Sequence, residues 1–250
     1  MATIIEIDNL THIFSDGTKG LNNINLTVTS GSFVVIAGSN GSGKTTLLRH
    51  LNGLLLPREG EVRIEGVPVE DDLLAARQKV GMVFQDTDSQ IVGETVFEEI
   101  AFGPENLGLD RDEVHKRVTA AMKSVGLAHR ADDRPHLLSG GQKRRLTIAG
   151  ILAMEPAILV FDEPFSNLDY PGVLTVLRHI VSLHEQGHTI LLITHDLEKV
   201  IYHADRLVIM QEGRVVRDDI PHHLFKELET LGVRQPCASR MGYQLQSWLG

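Results

Sequence analysis

With Cys237 as its only cysteine, this chain can form no intrachain disulfide and no multi-cysteine metal site, which suits a reducing cytoplasm. Positive charge is also scarce: 24 Lys and Arg stand against 33 Asp and Glu, a net charge of −9. Proteins whose main ligand is a nucleic-acid backbone neutralise phosphates with Lys and Arg. Nucleic acid is therefore not an expected partner, although a local basic patch stays open. Long apolar runs are missing. Stretches such as Ile158 to Phe161 and Thr189 to Ile193 fall far short of the ~20 residues that span a bilayer, so in a transport role another chain supplies the pore. The first ten residues carry Glu6 and Asp8 and lack the basic start and apolar stretch of a signal peptide, so export is not expected. The 23 Gly and 9 Pro are too few for a low-complexity chain. No internal repeat or long block of like charge stands out.

What is present suits one α/β domain with small appendages: 250 residues, 42% of them hydrophobic, enough for one sizeable core. Ile4 to Leu10 and Leu21 to Val28 alternate apolar with polar residues around an Asp16-Gly17 turn signal, which predicts an antiparallel β region at the start. Phe33 to Ala37 is continuously apolar, as strands buried on both faces are. Val80 to Phe84, Ala157 to Phe161 and Thr189 to Thr194 repeat that pattern. Helical patterns lie between them at Lys44 to Asn52, Val96 to Asn106, Asp112 to Val125, Gln142 to Met154 and Val173 to Glu185. Strands alternating with helices predict an α/β sheet core, and the strand-free stretch from Phe84 to about Leu138 predicts an inserted helical subdomain. Arg206 to Gln211 and Arg214 to Asp218, joined at Glu212-Gly213, read as a closing hairpin.

Gly38-Ser39-Asn40-Gly41-Ser42-Gly43-Lys44-Thr45 matches the phosphate-binding loop, and it lies after a buried strand and before a helix, where the mechanism needs it. Its glycines let successive N–H groups turn toward phosphate oxygens, the helix N-terminus adds positive potential, Lys44 reaches the outer phosphates, and the Thr45 hydroxyl suits Mg²⁺. Nucleoside triphosphate is the expected ligand. Ile158 to Glu163 is a buried strand ending in two carboxylates. In phosphate-loop enzymes the second metal-side residue emerges there, here Asp162. Successive strand side chains point opposite ways, which frees Glu163 to face the γ-phosphate and polarise a water. His195 ends another apolar strand at the edge where α/β sheets bind ligands. For most of the 12 histidines, the His222-His223 pair included, a solvated surface position is expected.

Leu138-Ser139-Gly140-Gly141-Gln142 resembles the signature motif of ATP-binding-cassette ATPases. The resemblance runs over about residues 4–220 and takes in, in the family's order, the phosphate loop, a Q-loop glutamine at Gln85, the signature, Asp162-Glu163, a D-loop-like Ser166-Asn167-Leu168-Asp169 and a switch histidine at His195. It implies a phosphate-loop NTPase sheet core with an N-terminal antiparallel β region and an inserted helical subdomain: a cassette over residues 1–231, the subdomain at about 85–155, and a short extension at 232–250. It implies ATP hydrolysis with Mg²⁺. Glu163, His195 and Gln85 are the implied catalytic group, and Thr45, Gln85 and Asp162 hold the metal. Nucleotide contacts are implied for Phe14, for Gly38 through Thr46, for Ser139 through Gln142 and for Asp169. In this family two subunits pair head to tail, so that Ser139 with the N–H groups of Gly140 and Gly141 binds the γ-phosphate held by the other chain's Lys44. Phe14, one of eight phenylalanines, falls where the family usually has a tyrosine against adenine; ordinary core packing is the competing reading. Lys143-Arg144-Arg145 follows the signature, and there a solvated helix face is expected.

The segments Phe84 to Gln90, Gly93 to Val96 and Ala101 to Asn106 resemble the energy-coupling-factor ATPases of cobalt, nickel and vitamin uptake. Thr87 stands where a proline is common in the pattern, Asn167 where a small residue is usual, and Tyr170 precedes Pro171. That resemblance implies a peripheral protein on the cytoplasmic face of the cell membrane. Its partners would be a second ATPase subunit, with a homodimer self-sufficient, a transmembrane coupling protein and a small substrate-binding membrane protein. A conventional cassette importer or exporter is the alternative, and a non-transport cassette protein fits less well. The segment after about Leu231 is expected to be either a frayed tail or a dimer-stabilising extension.

Overall fold

Alternating apolar residues build the first two strands, β1 (Thr3–Ile13) and β2 (Lys19–Thr29), which pair antiparallel. The computed structural model describes residues 2–250. At the turn between these strands the Gly17 N–H donates to the Phe14 carbonyl at 2.9 Å. Every residue of β3 (Phe33–Ala37) is fully buried, and a glycine-rich loop carries the chain from it into α1 (Lys44–Leu51). The next stretch, which carries no assignment from the sequence, adds β4 (Glu59–Ile64), β5 (Val67–Pro68) and α2 (Leu73–Lys79). These complete a four-stranded sheet in the order β2-β1-β4-β5, antiparallel throughout.

The rest alternates strand and helix: β6 (Val80–Val83), α3 (Val96–Asn106), α4 (Arg111–Ser124), α5 (Gly140–Leu152), β7 (Ile158–Asp162), α6 (Tyr170–Glu185), β8 (Thr189–Ile193), β9 (Arg206–Gln211) and β10 (Arg214–Asp219). Helices α3, α4 and α5 lie consecutively between β6 and β7, with no strand among them. Each of the three has a side-chain N-cap (Thr95, Asp110 and Ser139), so the orphan N–H groups of its first turn find acceptors. The second sheet has the order β10-β9-β3-β8-β7-β6, parallel except for the edge strand β10.

This order sets up the site. Because β8 lies between β3 and β7, the carboxyl ends of these three strands deliver the glycine-rich loop, His195 and the acid pair side by side, at the edge where open parallel sheets bind ligands. Side chains alternate between the sheet's two faces. Val34 and Ile36 face α1 and the antiparallel sheet, while Phe33, Val35 and Ala37 face the layer that contains α3 to α6. Each fully buried Val, Leu, Ile or Phe contributes roughly 1.5–3 kcal/mol of transfer free energy, opposed by chain entropy.

A close approach joins the two sheets at the loop. The Gly213 N–H, in the β9–β10 turn, donates to the Ser42 carbonyl at 3.0 Å, and its own carbonyl accepts from Asn22 N–H at 2.8 Å. A Cβ at Gly213 would stand 2.8 Å from the Gly20 carbonyl oxygen, and one at Gly43 only 2.6 Å from the same atom. Both residues also have positive φ, 72° and 98°, so glycine is required at each. Beyond β10 the chain forms short helical turns at Pro221–Leu224, Phe225–Leu231 and Cys237–Arg240. The tail does not fray: Leu245, Trp248 and Leu249 pack on the main core, and the Trp248 ring lies 5.8 Å from that of Tyr170. Among the described residues no helix is long and apolar enough to cross a membrane.

Candidate functional site

Lys44 begins α1 and turns back into the loop that precedes it. Its ammonium donates to the carbonyls of Gly38 and Ser39, each at 2.8 Å, and to the Ser42 hydroxyl at 3.3 Å. Burial lowers the Lys44 pKa, and the nearby Glu163 and Asp162 work against that shift. The neighbouring Thr45 hydroxyl donates to Asp162 Oδ2 at 3.0 Å. Asp162 is buried at the last position of β7, and burial is the main cause of its raised pKa, opposed chiefly by that Thr45 bond. The loop lysine and two of the three residues expected at the metal, Thr45 and Asp162, thus meet at one sheet edge.

Glu163 leaves β7 with φ of 48°, an uncommon value for a non-glycine residue and one that concentrates at functional sites. The turn aims its carboxylate at β8. Oε1 accepts from the His195 N–H at 2.9 Å and lies 2.7 Å from His195 Nδ1, while Oε2 accepts from the Thr194 hydroxyl at 3.2 Å. The Glu163 side chain is only 12% exposed and that of His195 is 64% exposed. The Glu163 carboxylate is thus held from the end of β8 by both its oxygens, while Nε2 of the exposed His195 ring makes no hydrogen bond among the described residues.

Gln85 is exposed and lines a cleft of about 1040 Å³ together with Thr45, Asp162, Gly140 and Asn167. Its loop is braced from within. The Gln90 amide accepts from Phe84 N–H at 3.2 Å and donates to the Met82 carbonyl at 3.0 Å, and the Asp86 carboxylate accepts from the N–H groups of Asp88 and Ser89. Ser139 to Gln142 open on a neighbouring hollow of about 390 Å³, lined also by Asn167, Leu168 and Asp169, and Gly140, Asn167 and Leu168 border the cleft as well. There Ser139 and Gln142 form a capping box: the Ser139 N–H donates to Gln142 Oε1 at 2.8 Å, and the Gln142 N–H donates to Ser139 Oγ at 3.4 Å. The box leaves the N–H groups of Gly140 and Gly141 at the positive end of a helix of 13 residues. Asp169 caps α6 through Gly172 N–H at 2.9 Å.

Phe14 stays outside the core, 41% exposed. Its ring packs edge-on against His12 at 4.8 Å and against Gly20, the glycine that touches Gly43 of the phosphate loop. Thr46 is half-buried and its carbonyl takes a hydrogen bond from His50.

The Lys143-Arg144-Arg145 face is not solvated, contrary to expectation. Arg144 is 3% exposed and donates to the carbonyls of Phe84 and Gln85. Lys143 pairs with Asp88 at 2.6 Å, and Arg145 donates to the Val125 carbonyl at 2.8 Å. Helical spacing carried the signal: Arg144 shares a stripe with the buried Thr147 and Ile148, three and four residues on. Charge hid that stripe.

Residues 21–166 match the family described as ABC transporter. An energy-coupling factor transporter ATP-binding protein, EcfA, of Methanocaldococcus jannaschii is 44% identical over 231 residues, covering 91% of this chain and 83% of the relative. Among solved structures, CbiO1 of Clostridium perfringens, part of the ABC transporter complex CbiONQ, superposes with a TM-score of 0.83 at 37% identity, covering 92% of this chain and 93% of that one. A dimeric ATP-binding cassette bound to ADP and Pi, in a post-hydrolysis state, superposes with a TM-score of 0.77 at 31% identity, covering 87% and 99%.

Proposed function

Because the chain belongs to the ABC transporter family of ATP-binding cassettes, we propose that it is the ATP-hydrolysing subunit of an energy-coupling-factor importer for a vitamin or a transition-metal ion. The observation that carries the reading is the group of residues at the ends of β3, β7 and β8: Lys44 in the loop, Thr45 bonded to Asp162, and Glu163 held against His195.

In this reading the triphosphate of ATP takes the place of the loop carbonyls and of Ser42 as partner of the Lys44 ammonium, and the N–H groups of Gly38 through Thr46 surround the β-phosphate. The Phe14 ring receives adenine. Thr45 and Asp162 supply a hydroxyl and a carboxylate, hard oxygen donors suited to Mg²⁺, and Gln85 on the same cleft supplies an amide oxygen. Mg²⁺ there would neutralise charge on the β- and γ-phosphates. Glu163 takes a proton from the attacking water as its oxygen bonds to the γ-phosphorus and the bond to the leaving ADP oxygen breaks. His195 fixes the Glu163 carboxylate and offers its other ring nitrogen to the γ-phosphate.

Ser139, Gly140 and Gly141 open on the hollow beside this cleft, with Gly140 on the rim that the two share, and in this reading they serve the γ-phosphate bound by a second copy of the chain. Two chains then enclose two ATP molecules, and losing the γ-phosphate loosens the pair. Residues 1–231 form the cassette, residues 85–155 its moving helical part and 232–250 an extension. An apolar groove of about 350 Å³, lined in part by Leu74, Val92, Phe102 and Met154, suits a segment of a transmembrane coupling protein, which in turn engages a small solute-capturing membrane protein. The chain works peripherally on the cytoplasmic face.

Two measurements test this. Glu163→Gln is expected to hold ATP and accumulate as an ATP-dependent dimer with hydrolysis reduced at least ~100-fold; normal turnover would remove Glu163 from the base role. Pull-down of the tagged chain from detergent-solubilised native membranes is expected to recover a coupling protein and a small solute-binding membrane protein. Recovery of ordinary permeases alone would overturn the energy-coupling-factor reading.

A further inference from the structure

Arg144 is the most deeply buried charge in the chain that the catalytic reading leaves unused. It lies in α5, close behind the helix N-terminus that bears Ser139, and it is 3% exposed. Its guanidinium meets no carboxylate. Nη1 donates to the Phe84 carbonyl, Nη2 donates to the Gln85 carbonyl at 2.9 Å, and Nε has no partner. A buried charge satisfied this way stabilises a fold poorly compared with an apolar side chain of equal volume. It is, however, a directional fastener, because the planar fork fixes two consecutive carbonyls at once.

What it fastens is a loop braced by its own hydrogen bonds. Gln90 closes the loop from Phe84 onto the end of β6, Asp86 holds the N–H groups of Asp88 and Ser89, and Lys143 adds a second tie from α5 to Asp88 at 2.6 Å. The loop and the start of α5 therefore form one body, with the Gln85 side chain as its free projection into the cleft of Thr45 and Asp162.

We propose that Arg144 is a positioning residue that makes Gln85 in one ATP site follow the signature face of its own chain, and so makes it respond to the γ-phosphate that the second chain brings to Ser139. The proposal rests on the composite-site reading above. Each site then reads the occupancy of the other through a path of three links: phosphate to the α5 N-terminus, α5 through Arg144 to the Gln85 backbone, and Gln85 to its own nucleotide. Lys143 and Asp88 steady the same joint from the exposed side.

The test compares the full-length protein with Arg144→Met, which keeps the volume and removes the fork, and Arg144→Lys, which keeps the charge and reaches one carbonyl at a time. Three quantities are read: ATP affinity of the monomer, the Hill coefficient and kcat of hydrolysis, and amide hydrogen exchange at residues 84–90 in the nucleotide-free protein. Both variants are expected to bind ATP within about twofold of the parent. The parent Hill coefficient, near 2 for two coupled sites, should fall toward 1. kcat should fall roughly 10–100-fold, as misplacement of a site group by about 1 Å does, and loop exchange should rise. If Arg144→Met does not fold, Arg144→Lys carries the test alone. Unchanged cooperativity and unchanged loop exchange in a folded variant would overturn the role of Arg144. Absence of an ATP-dependent dimer in Glu163→Gln would instead overturn the composite-site reading, and this proposal with it.

Discussion

His50 and Phe14 illustrate how single side chains tune the nucleotide end of the molecule. His50, 1% exposed, lies 4.9 Å from the His12 ring, and His12 in turn supports Phe14. Burial, with a smaller effect from His12, lowers the His50 pKa, and burial likewise lowers those of His179 and His203. The unfolded chain therefore takes up protons at about pH 6.5 where the folded chain resists them. Stability is full above that pH and is lost as pH falls toward the depressed folded values. Tm of the nucleotide-free protein is expected to drop between about pH 7.5 and about pH 5.5, and His50→Gln should make that drop shallower. An unchanged slope would show that His50 is not a source of the acid sensitivity. For Phe14→Ala, loss of a base-stacking ring is expected to weaken ATP binding about tenfold, read by titration calorimetry; unchanged affinity would leave Phe14 as packing for Gly20 alone.

Among elements, those with an unmixed apolar pattern were plain from the residues. β3, β7 and β8 are buried throughout, and no helix accommodates such short unbroken runs as well. β4 and β5 escaped because β4 carries Glu59, Glu61 and Arg63 on its solvent side and β5 is two residues long. α2, of seven residues, offers too few turns for a helical period to register. In the site, residues presented by strand ends were legible, since topology alone delivers Lys44, Asp162, Glu163 and His195. Arg144 was not, because a run of cations reads as surface until the helix phase is set. Caps can be tested directly. Thr95 both accepts from the Glu98 N–H at 3.2 Å and donates its N–H back to that side chain, so Thr95→Ala is expected to cost about 1 kcal/mol, measured by urea unfolding. An effect near zero would mean that Ala131 and Asp133, whose carbonyls accept from Phe97 and Val96, hold the start of α3 unaided.

At the scale of the whole molecule, the tail ties the two ends of the chain's second half together. Trp248 meets Tyr170 at the head of α6, and Ser247 Oγ lies 3.2 Å from His203 Nε2 in the segment after β8. The tail spans the residues that follow the D-loop and the switch histidine. Trp248→Ala removes a partly buried ring and is expected to destabilise the protein by roughly 1–3 kcal/mol, read from thermal unfolding. No loss of stability would make the packed tail a bystander.

The hairpin turn at Gly213 bears on what a sequence motif is. Its N–H holds the Ser42 carbonyl, and its carbonyl holds Asn22, so the curvature of the nucleotide loop is imposed from about 170 positions downstream and from the opening sheet. A peptide of residues 33–51 would carry every glycine and the lysine, yet its loop would be free to flatten. The consensus records which residues tolerate the shape; the authority to enforce it belongs to a distant bend that no local pattern mentions.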